Sequence, residues 1–205
     1  MNYLAHLFFA DPTPESRVGH LMGDFYRGRL GAELSAAVAE GVWLHRRIDS
    51  YTDAHPRVTA ARARMNGPRR RVAGIILDVA FDHFLCRHWD RFHRQTLTQF
   101  LQAVYVDLAA YQGFVPERMV VPLDRICQQQ WLSVYGSVEG AGQALARMAG
   151  RFSRPTGLAQ GGLEITRHYT ALEQDFLLFF PQLMEYVEAQ RNAYRQLGTD
   201  TQKPA

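Results

Sequence analysis

The chain contains very little lysine and cysteine, and it has no long uninterrupted apolar run. Lys203 is the sole lysine among 23 basic residues, and the net charge of +3 is only mildly basic. The two cysteines, Cys86 and Cys127, have no CxxC or Cys/His zinc spacing around them and are predicted to be reduced thiols. No segment approaches the roughly 18 apolar residues of a membrane span, and no signal peptide pattern begins the chain. These absences predict a soluble, cytoplasmic protein with no membrane partner.

Alternating strand patterns are missing as well, and the apolar spacing is helical throughout. The only β-like patch, Val115–Val121, is interrupted by proline. We therefore predict an all-α fold with one compact multi-helix domain over residues 1–197, a clear loop at 153–162 and a flexible tail at 198–205. Helices are predicted over residues 2–9, 15–25, 32–55, 56–65, 69–94, 96–111, 122–135, 138–150 and 164–195.

Histidine and aspartate are concentrated near the start of the chain. Seven of the eight histidines and seven of the eleven aspartates fall in the first 93 residues. Two pairs, His45 with Asp49 and Asp78 with Asp82, are spaced four residues apart, which places each pair on one face of a helix. Two helices that each present such a pair can close around a divalent metal ion.

Both pairs interrupt helical stripes that are otherwise apolar. A carboxylate in such a stripe has to be paired, hydrogen-bonded or metal-bound, because burying it alone costs several kcal/mol. One interrupted stripe favours a buried Asp–His or Asp–Arg ion pair. Two interrupted stripes, with further candidates at His6 and Asp24, favour a metal site, and the ion-pair interpretation remains the alternative.

Four motifs occur in order along the chain: MNYLAHL from Met1, GDF from Gly23, LHRRID from Leu44 and LDVAFDHFL from Leu77. Weaker matches continue to HYTALE from His168. Together these motifs resemble the acyl carrier protein phosphodiesterase family, and the similarity covers nearly the whole chain. The resemblance implies an all-α fold similar to the HD phosphohydrolases, and a divalent cation, typically Mn²⁺, with Mg²⁺ possible. It also implies that the protein removes 4′-phosphopantetheine from the serine of holo acyl carrier protein by means of a metal-activated water.

Site residues are predicted from these patterns together with the resemblance. Oxygen-rich ligand sets that include one or two imidazoles suit Mn²⁺ or Mg²⁺ better than zinc. The predicted metal ligands are His6, Asp24, His45, Asp49, Asp78 and Asp82. The predicted catalytic residues are His45, Asp49, Asp82 and His83.

Three further histidine and aspartate positions lie close to the predicted ligands in sequence or depart from the family pattern. Asp53 and His55 either orient the ligands or cap the helix that ends before Pro56. At two positions the chain departs from the family pattern: Phe8 stands where many members have histidine, and His20 stands where asparagine is frequent. His20 is predicted to lie at the surface or behind the ligands.

Arginines are dense between the two predicted ligand clusters. Residues 54–77 contain six arginines and no acid, which predicts a docking surface for an acidic protein substrate, holo acyl carrier protein. The alternative is an ordinary solvated face. Arg46 and Arg47 are predicted to reach a phosphate, with at least one of the two on solvent. The six docking residues are Arg57, Arg62, Arg64, Arg69, Arg70 and Arg71. No recognised nucleic-acid motif accompanies them, so no nucleic-acid partner is predicted.

Two other functions stay open at this point. The first is an HD-like metal phosphohydrolase that acts on a nucleotide or another small phosphoester and does not need the arginine surface. The second is a non-enzymatic helical module that binds carrier proteins, in which the histidine and aspartate clusters are buried ion pairs. Metal content separates the second from the enzymes, and activity on small phosphoesters tests the first.

Overall fold

The computed structural model describes residues 1–200, without the side chains of residues 68 and 197–200. Within that range the chain is helical and contains no strand, which confirms the all-α prediction. No helix there combines the length and the apolar character needed to cross a bilayer. The α-helices are α1 Tyr3–Phe8, α2 Pro14–Met22, α3 Ala36–Ala54, α4 Pro56–Ala63, α5 Ala73–Arg87, α6 Trp89–Phe92, α7 Leu97–Ala110, α8 Glu117–Gln129, α9 Val138–Ala149, α10 Gly161–Arg167 and α11 Tyr169–Asp200.

Two of the predicted helices are each divided by a histidine. The helix predicted at 69–94 becomes a 3₁₀ segment, Gly67–Val72, followed by α5 and α6, which are separated at His88. The helix predicted at 164–195 becomes α10 and α11, separated at His168. Each histidine lies close to a glutamate: the Nε2 of His88 is 2.8 Å from Glu173, and the Nε2 of His168 is 3.4 Å from Glu164. Neither break contains proline or glycine, so the sequence carries no signal for it.

Other element boundaries also differ from those predicted from the sequence. The patch Val115–Val121, for which no strand was predicted, mostly forms the beginning of α8, so this helix begins before the predicted residue 122 and contains Pro122. Pro122 is the sixth residue of α8 and has no backbone N–H, so the helix loses one backbone hydrogen bond there. The predicted loop at 153–162 ends earlier, at the 3₁₀ segment Leu158–Gln160. The predicted tail boundary at residue 198 falls within α11, and residues 201–205 lie outside the described residues.

The core forms where α5 packs against α11. Phe81 of α5 meets Phe176 of α11 with ring centroids 5.5 Å apart and an interplanar angle of 62°, an edge-to-face geometry that favours aromatic pairs. Phe179 and Phe180 are fully buried beside them, so the aromatic residues of α11 belong to the core. Burial of each such side chain contributes about 1.5–3 kcal/mol, which anchors α5 and the aspartates it carries.

Helices α2 and α3 cross at a glycine contact that positions the candidate site. A Cβ atom on Gly41 of α3 would lie 2.8 Å from the backbone carbonyl carbon of Gly19 and 2.8 Å from the backbone nitrogen of His20. Four residues after Gly41, the ring of His45 occupies the space beside Gly23, where a Cβ would lie 2.1 Å from the ring carbon Cγ. The two glycines thus allow α3 to bring His45 against the end of α2.

Replacing Gly41 with alanine should lower the free energy of unfolding by about 1–3 kcal/mol, the usual cost of overpacking. The obstructing atoms are backbone atoms, which cannot rotate away. Urea denaturation followed by circular dichroism measures the change. Gly74→Ala is the matched control, because its Cβ would first meet the Arg62 side chain at 3.5 Å. That variant should gain about 0.4–1 kcal/mol, and equal losses in the two variants would contradict the tight crossing.

Candidate metal centre

Three ligand-type side chains from two helices come together in the structure. His6 of α1 places Nε2 3.2 Å from Oδ1 of Asp49, and His45 places Nε2 3.1 Å from Oδ2 of the same carboxylate. The two imidazole rings stack with centroids 3.8 Å apart and an interplanar angle of 16°. One donor atom from each residue lies within 4.8 Å of the others. We call His6, His45 and Asp49 the cation group, because this spacing allows all three to bind one ion.

Two more of the predicted aspartates flank the cation group. Asp24, just after α2, places Oδ1 3.4 Å from Nε2 of His45. Asp78 of α5 places Oδ1 3.1 Å from the amino group of Met1, which in turn lies 3.2 Å from Oδ1 of Asp49. A positive charge therefore lies between the carboxylates of Asp49 and Asp78. The structure brings five of the six predicted ligands into one neighbourhood.

The imidazole of His45 is oriented by a backbone contact. Its Nδ1 lies 2.7 Å from the carbonyl oxygen of His20. A carbonyl only accepts, so Nδ1 carries the hydrogen and donates it. The Nε2 atom is thereby turned toward Asp24 and Asp49, and a hydrogen bond of this kind from the far nitrogen is how proteins orient a metal-binding histidine.

The pKa values within the group diverge. Burial opposes the charged form of His45, but hydrogen bonds to Asp24 and Asp49 outweigh it and raise its pKa to about 9. Burial lowers the pKa of His6 to about 4, and the charge on His45 acts in the same direction. Burial favours the protonated form of Asp49, yet its contacts with both histidines hold its pKa well below the ordinary value. One histidine is thus charged and the other neutral beside an ionised carboxylate.

Exposure differs sharply between the imidazoles and the carboxylates. The His6 and His45 side chains are 1% and 3% exposed, whereas Asp49 is 37% exposed and Asp24 50% exposed. The imidazoles therefore form the floor of the site and the carboxylates open outward. An anionic substrate reaching this surface would meet the carboxylate rim first, so it needs a bound cation to be attracted there.

Asp82 does not join the cation group. Its two carboxylate oxygens accept the backbone N–H groups of Leu4 at 2.9 Å and Ala5 at 3.1 Å. These groups belong to the first turn of α1, where the helix leaves donors unpaired. Asn2, at the N-cap position of α1, makes no side-chain cap, so Asp82 caps α1 from α5. The structure places this predicted ligand at the end of the helix that carries His6.

His83 also points elsewhere. Its Nδ1 lies 2.8 Å from the carbonyl oxygen of Tyr135 and its Nε2 lies 3.0 Å from the hydroxyl of Tyr169. Because the carbonyl accepts, Nδ1 donates and Nε2 accepts from the tyrosine. Burial lowers the pKa of His83, which fits this neutral form. The structure does not bring His83 to the cation group, contrary to the catalytic role predicted for it.

The four residues predicted to support the site have structural contacts of their own. His55 accepts the backbone N–H of Arg57 at 3.2 Å and so caps the start of α4, whereas the alternative interpretation had it capping the helix that ends before Pro56. Asp53 forms an exposed ion pair with Arg62. Arg46 donates to the carbonyl oxygens of Tyr26 and Gly28 and holds the segment after α2. Arg47 is exposed, as expected for one of that pair, and stacks over Trp43 at 5.0 Å.

The predicted arginine docking surface is largely neutralised. Acids outside this stretch pair with four of its six members, and for three of the four the acid is distant in sequence. Arg69 lies 2.6 Å from Glu164, and Asp175 pairs with both Arg57 and Arg64. With Arg62 on Asp53, only Arg70 and Arg71 have no carboxylate partner among the described residues. The absence of acids from this stretch of sequence therefore did not mean an absence of acids around it in space.

Two contributors to the site were missed by sequence reasoning. The amino group of Met1 had no residue pattern that could reveal it. His20 was predicted at the surface or behind the ligands, and the surface position is wrong, since it is fully buried. Both of its ring nitrogens lack hydrogen-bond partners among the described residues, and burial, followed by the neighbouring His6 and His45, lowers its pKa. Residues 16–22 of α2 are all buried, and such a helix shows no polar face that sequence could use.

The fold and the site together define an all-helical protein with a histidine and aspartate centre. The family model described as acyl carrier protein phosphodiesterase matches residues 1–183, and the chain belongs to this family. An acyl carrier protein phosphodiesterase of Serratia proteamaculans is 39% identical over 186 residues, covering 90% of this chain and 96% of the relative. That of Yersinia pestis is 35% identical over 189 residues, covering 92% and 98%.

No solved structure shows significant similarity to the chain. The likeness to HD phosphohydrolases therefore stays a prediction, while membership of the phosphodiesterase family rests on sequence alone. The family match covers α1, α3 and α5. All members of the cation group, together with Asp24 and Asp78, lie inside the matched residues.

Proposed function

We propose that the protein hydrolyses the phosphodiester that links 4′-phosphopantetheine to the serine of holo acyl carrier protein, and that it does so in the cytoplasm with a bound divalent cation, Mn²⁺ or Mg²⁺. The observation that carries the proposal is the convergence of His6, His45 and Asp49 on one point, with exposed carboxylates around it. Family membership supplies the substrate class.

The donor set suits a hard divalent cation. Asp49 and the flanking Asp24 would contribute oxygen, and His6 and His45 would contribute nitrogen, a mixture that manganese and magnesium accept more readily than zinc. The buried Nδ1 of His6 has no hydrogen-bond partner, and its Nε2 meets Asp49 without hydrogen-bond geometry. A bound cation supplies charge neutralisation at phosphorus and acidifies the attacking water.

The chain's own residues then have separate tasks. His6, His45 and Asp49 hold the cation, and the carbonyl of His20 keeps His45 turned toward it. Asp78 is suited to accept the proton of the attacking water, because burial raises its pKa from the ordinary value while the Met1 amino group opposes the rise. A carboxylate with an elevated pKa is a better base near neutral pH.

The direct test is mass spectrometry of holo acyl carrier protein incubated with the purified protein and Mn²⁺. Loss of the phosphopantetheine mass, abolished by chelator and restored by added metal, is the expected result. A carrier protein whose mass is unchanged at several metal concentrations would contradict the proposal. If phosphopantetheine is still released in the presence of chelator, the cation requirement is wrong but the hydrolytic activity stands.

Action on a small phosphoester is the second candidate, and one observation favours it. Because Asp53, Asp175 and Glu164 neutralise most of the predicted docking surface, that surface no longer argues for a protein substrate. Turnover of bis(p-nitrophenyl) phosphate, compared with that of holo carrier protein at equal enzyme concentration, separates the two. Faster turnover of the small ester would favour this candidate.

Binding of Mn²⁺ should tighten as pH rises. The pKa of His45 is about 9 in the metal-free protein, so below that pH a proton has to leave before its Nε2 can bind metal. We expect the affinity to rise by about tenfold per pH unit from pH 7 to 9 and to level off above, as one displaced proton requires. Isothermal titration calorimetry in two buffers measures both the affinity and the proton released.

Asp24→Asn is the control for this prediction. It removes one of the two carboxylates that raise the pKa of His45, so the region of steep pH dependence should move to lower pH. An affinity that is flat between pH 7 and 9 in the unmodified protein would show that His45 is not a ligand.

A further inference from the structure

A second group of arginines surrounds a cleft between α8 and α9. Arg125 of α8, Arg147 of α9 and Arg151 just after α9 line a cavity of about 420 Å³, together with Trp131 and Met148. We call it the arginine cleft. Its volume falls in the range of sites that take small-molecule groups. Its wall offers both apolar surface and guanidinium groups, which suits a slender ligand attached to an acidic body.

The guanidinium charges in this cleft are not neutralised by the protein. All three arginines are exposed, and no carboxylate of the described residues lies within ion-pair distance of any of them. Arg57, Arg62, Arg64 and Arg69, by contrast, are all paired with acids. Three unpaired cations around one concavity attract an anionic partner more strongly than a surface that is already neutralised.

Tyr3 connects the arginine cleft to the cation group. It is buried and lines the cleft together with Arg151. The positive charge of Arg151 and the negative charge of Asp24 both act on the tyrosine hydroxyl. Tyr3 and His6 are three residues apart on α1, which places them on the same side of that helix. A ligand that extends along the cleft past Tyr3 therefore approaches the cation group.

We propose that the arginine cleft is the docking site for an acidic protein partner that carries a phosphodiester-linked arm. Acidic side chains of the partner pair with Arg125 and Arg147, and the arm lies along Trp131 and Met148 toward the cation group. This role in catalysis rests on the proposed function. The acidic partner is inferred from charge complementarity with the three arginines. The proposal places the docking surface at the arginine cleft instead of the stretch between Arg57 and Arg71.

Binding can be tested without hydrolysis. Apo acyl carrier protein has no phosphodiester to cleave, so the fluorescence anisotropy of a dye-labelled sample reports docking alone. We expect Arg125→Glu combined with Arg147→Glu to raise Kd by about tenfold or more, since like charges now oppose each other. Arg91→Glu combined with Arg94→Glu is the matched control, because these arginines are also exposed and unpaired by acids, and its Kd should change by less than about twofold.

A third double variant, Arg70→Glu with Arg71→Glu, tests the surface predicted from sequence. Equal weakening by the control pair, or a larger effect at Arg70 and Arg71 than at the cleft, would overturn the proposal. Failure of the proposed hydrolysis can be distinguished from failure of the proposed docking site. If the cleft variant alone loses binding while the unmodified protein releases no phosphopantetheine with Mn²⁺, docking stands and hydrolysis does not.

Discussion

Replacing Asp49 with asparagine should abolish hydrolysis of holo acyl carrier protein, lowering kcat by about a thousandfold or more, equivalent to about 4 kcal/mol of transition-state stabilisation. Both oxygens of Asp49 are engaged, one with His6 and Met1 and the other with His45. Asparagine preserves the shape but removes the charge that holds a cation. Mass spectrometry of the carrier protein measures turnover, and calorimetry measures the accompanying loss of Mn²⁺ affinity.

Asp53→Asn is the matched control, because Asp53 lies one turn further along α3 and is exposed in an ion pair with Arg62. Exposed pairs contribute about 0–1 kcal/mol, so this variant should retain normal turnover and metal binding. If Asp49→Asn keeps normal activity, Asp49 is not a ligand. If it instead unfolds without losing Mn²⁺ affinity in its folded fraction, the buried ion-pair interpretation of the cluster is the better one.

The sequence could predict the contact between site residues that lie on the same helix. His45 and Asp49 are four residues apart in an apolar stripe of α3, and that spacing alone implied that they share a face. The structure places their side chains 3.1 Å apart. Helical periodicity likewise predicted the all-α fold, because each helix is amphipathic or buried on its own.

The same spacing misdirected the prediction at Asp82. Spacing shows that two side chains share a face, but it does not show what that face meets. In the structure, Asp82 meets backbone N–H groups 78 and 77 residues away in sequence. Two of the acids that neutralise the arginines are equally remote: Glu164 is 95 residues from Arg69, and Asp175 is 111 residues from Arg64. Such contacts depend on how helices pack, which local patterns do not encode.

Asp82→Ala should destabilise the protein by about 3 kcal/mol, because it leaves two buried N–H groups without acceptors and each such loss costs about 1–3 kcal/mol. The carboxyl is fully buried, and burial raises its pKa to about 7 while the hydrogen bonds from Leu4 and Ala5 oppose the rise. With its cap removed, the start of α1 should fray, and α1 carries both Tyr3 and His6. Urea denaturation measures the loss, and hydrogen exchange of the Leu4 and Ala5 amides locates it.

Asp82→Asn separates the capping role from a ligand role. Its single side-chain oxygen can still accept one of the two N–H groups, so the loss of stability should be roughly half that of the alanine variant. The folded asparagine variant should bind Mn²⁺ with close to normal affinity, since both oxygens of Asp82 face α1 rather than the cation group. The opposite pattern, unchanged stability with Mn²⁺ affinity lost, would restore Asp82 to the ligand set predicted from sequence. It would also mean that the carboxylate leaves α1 when the cation binds.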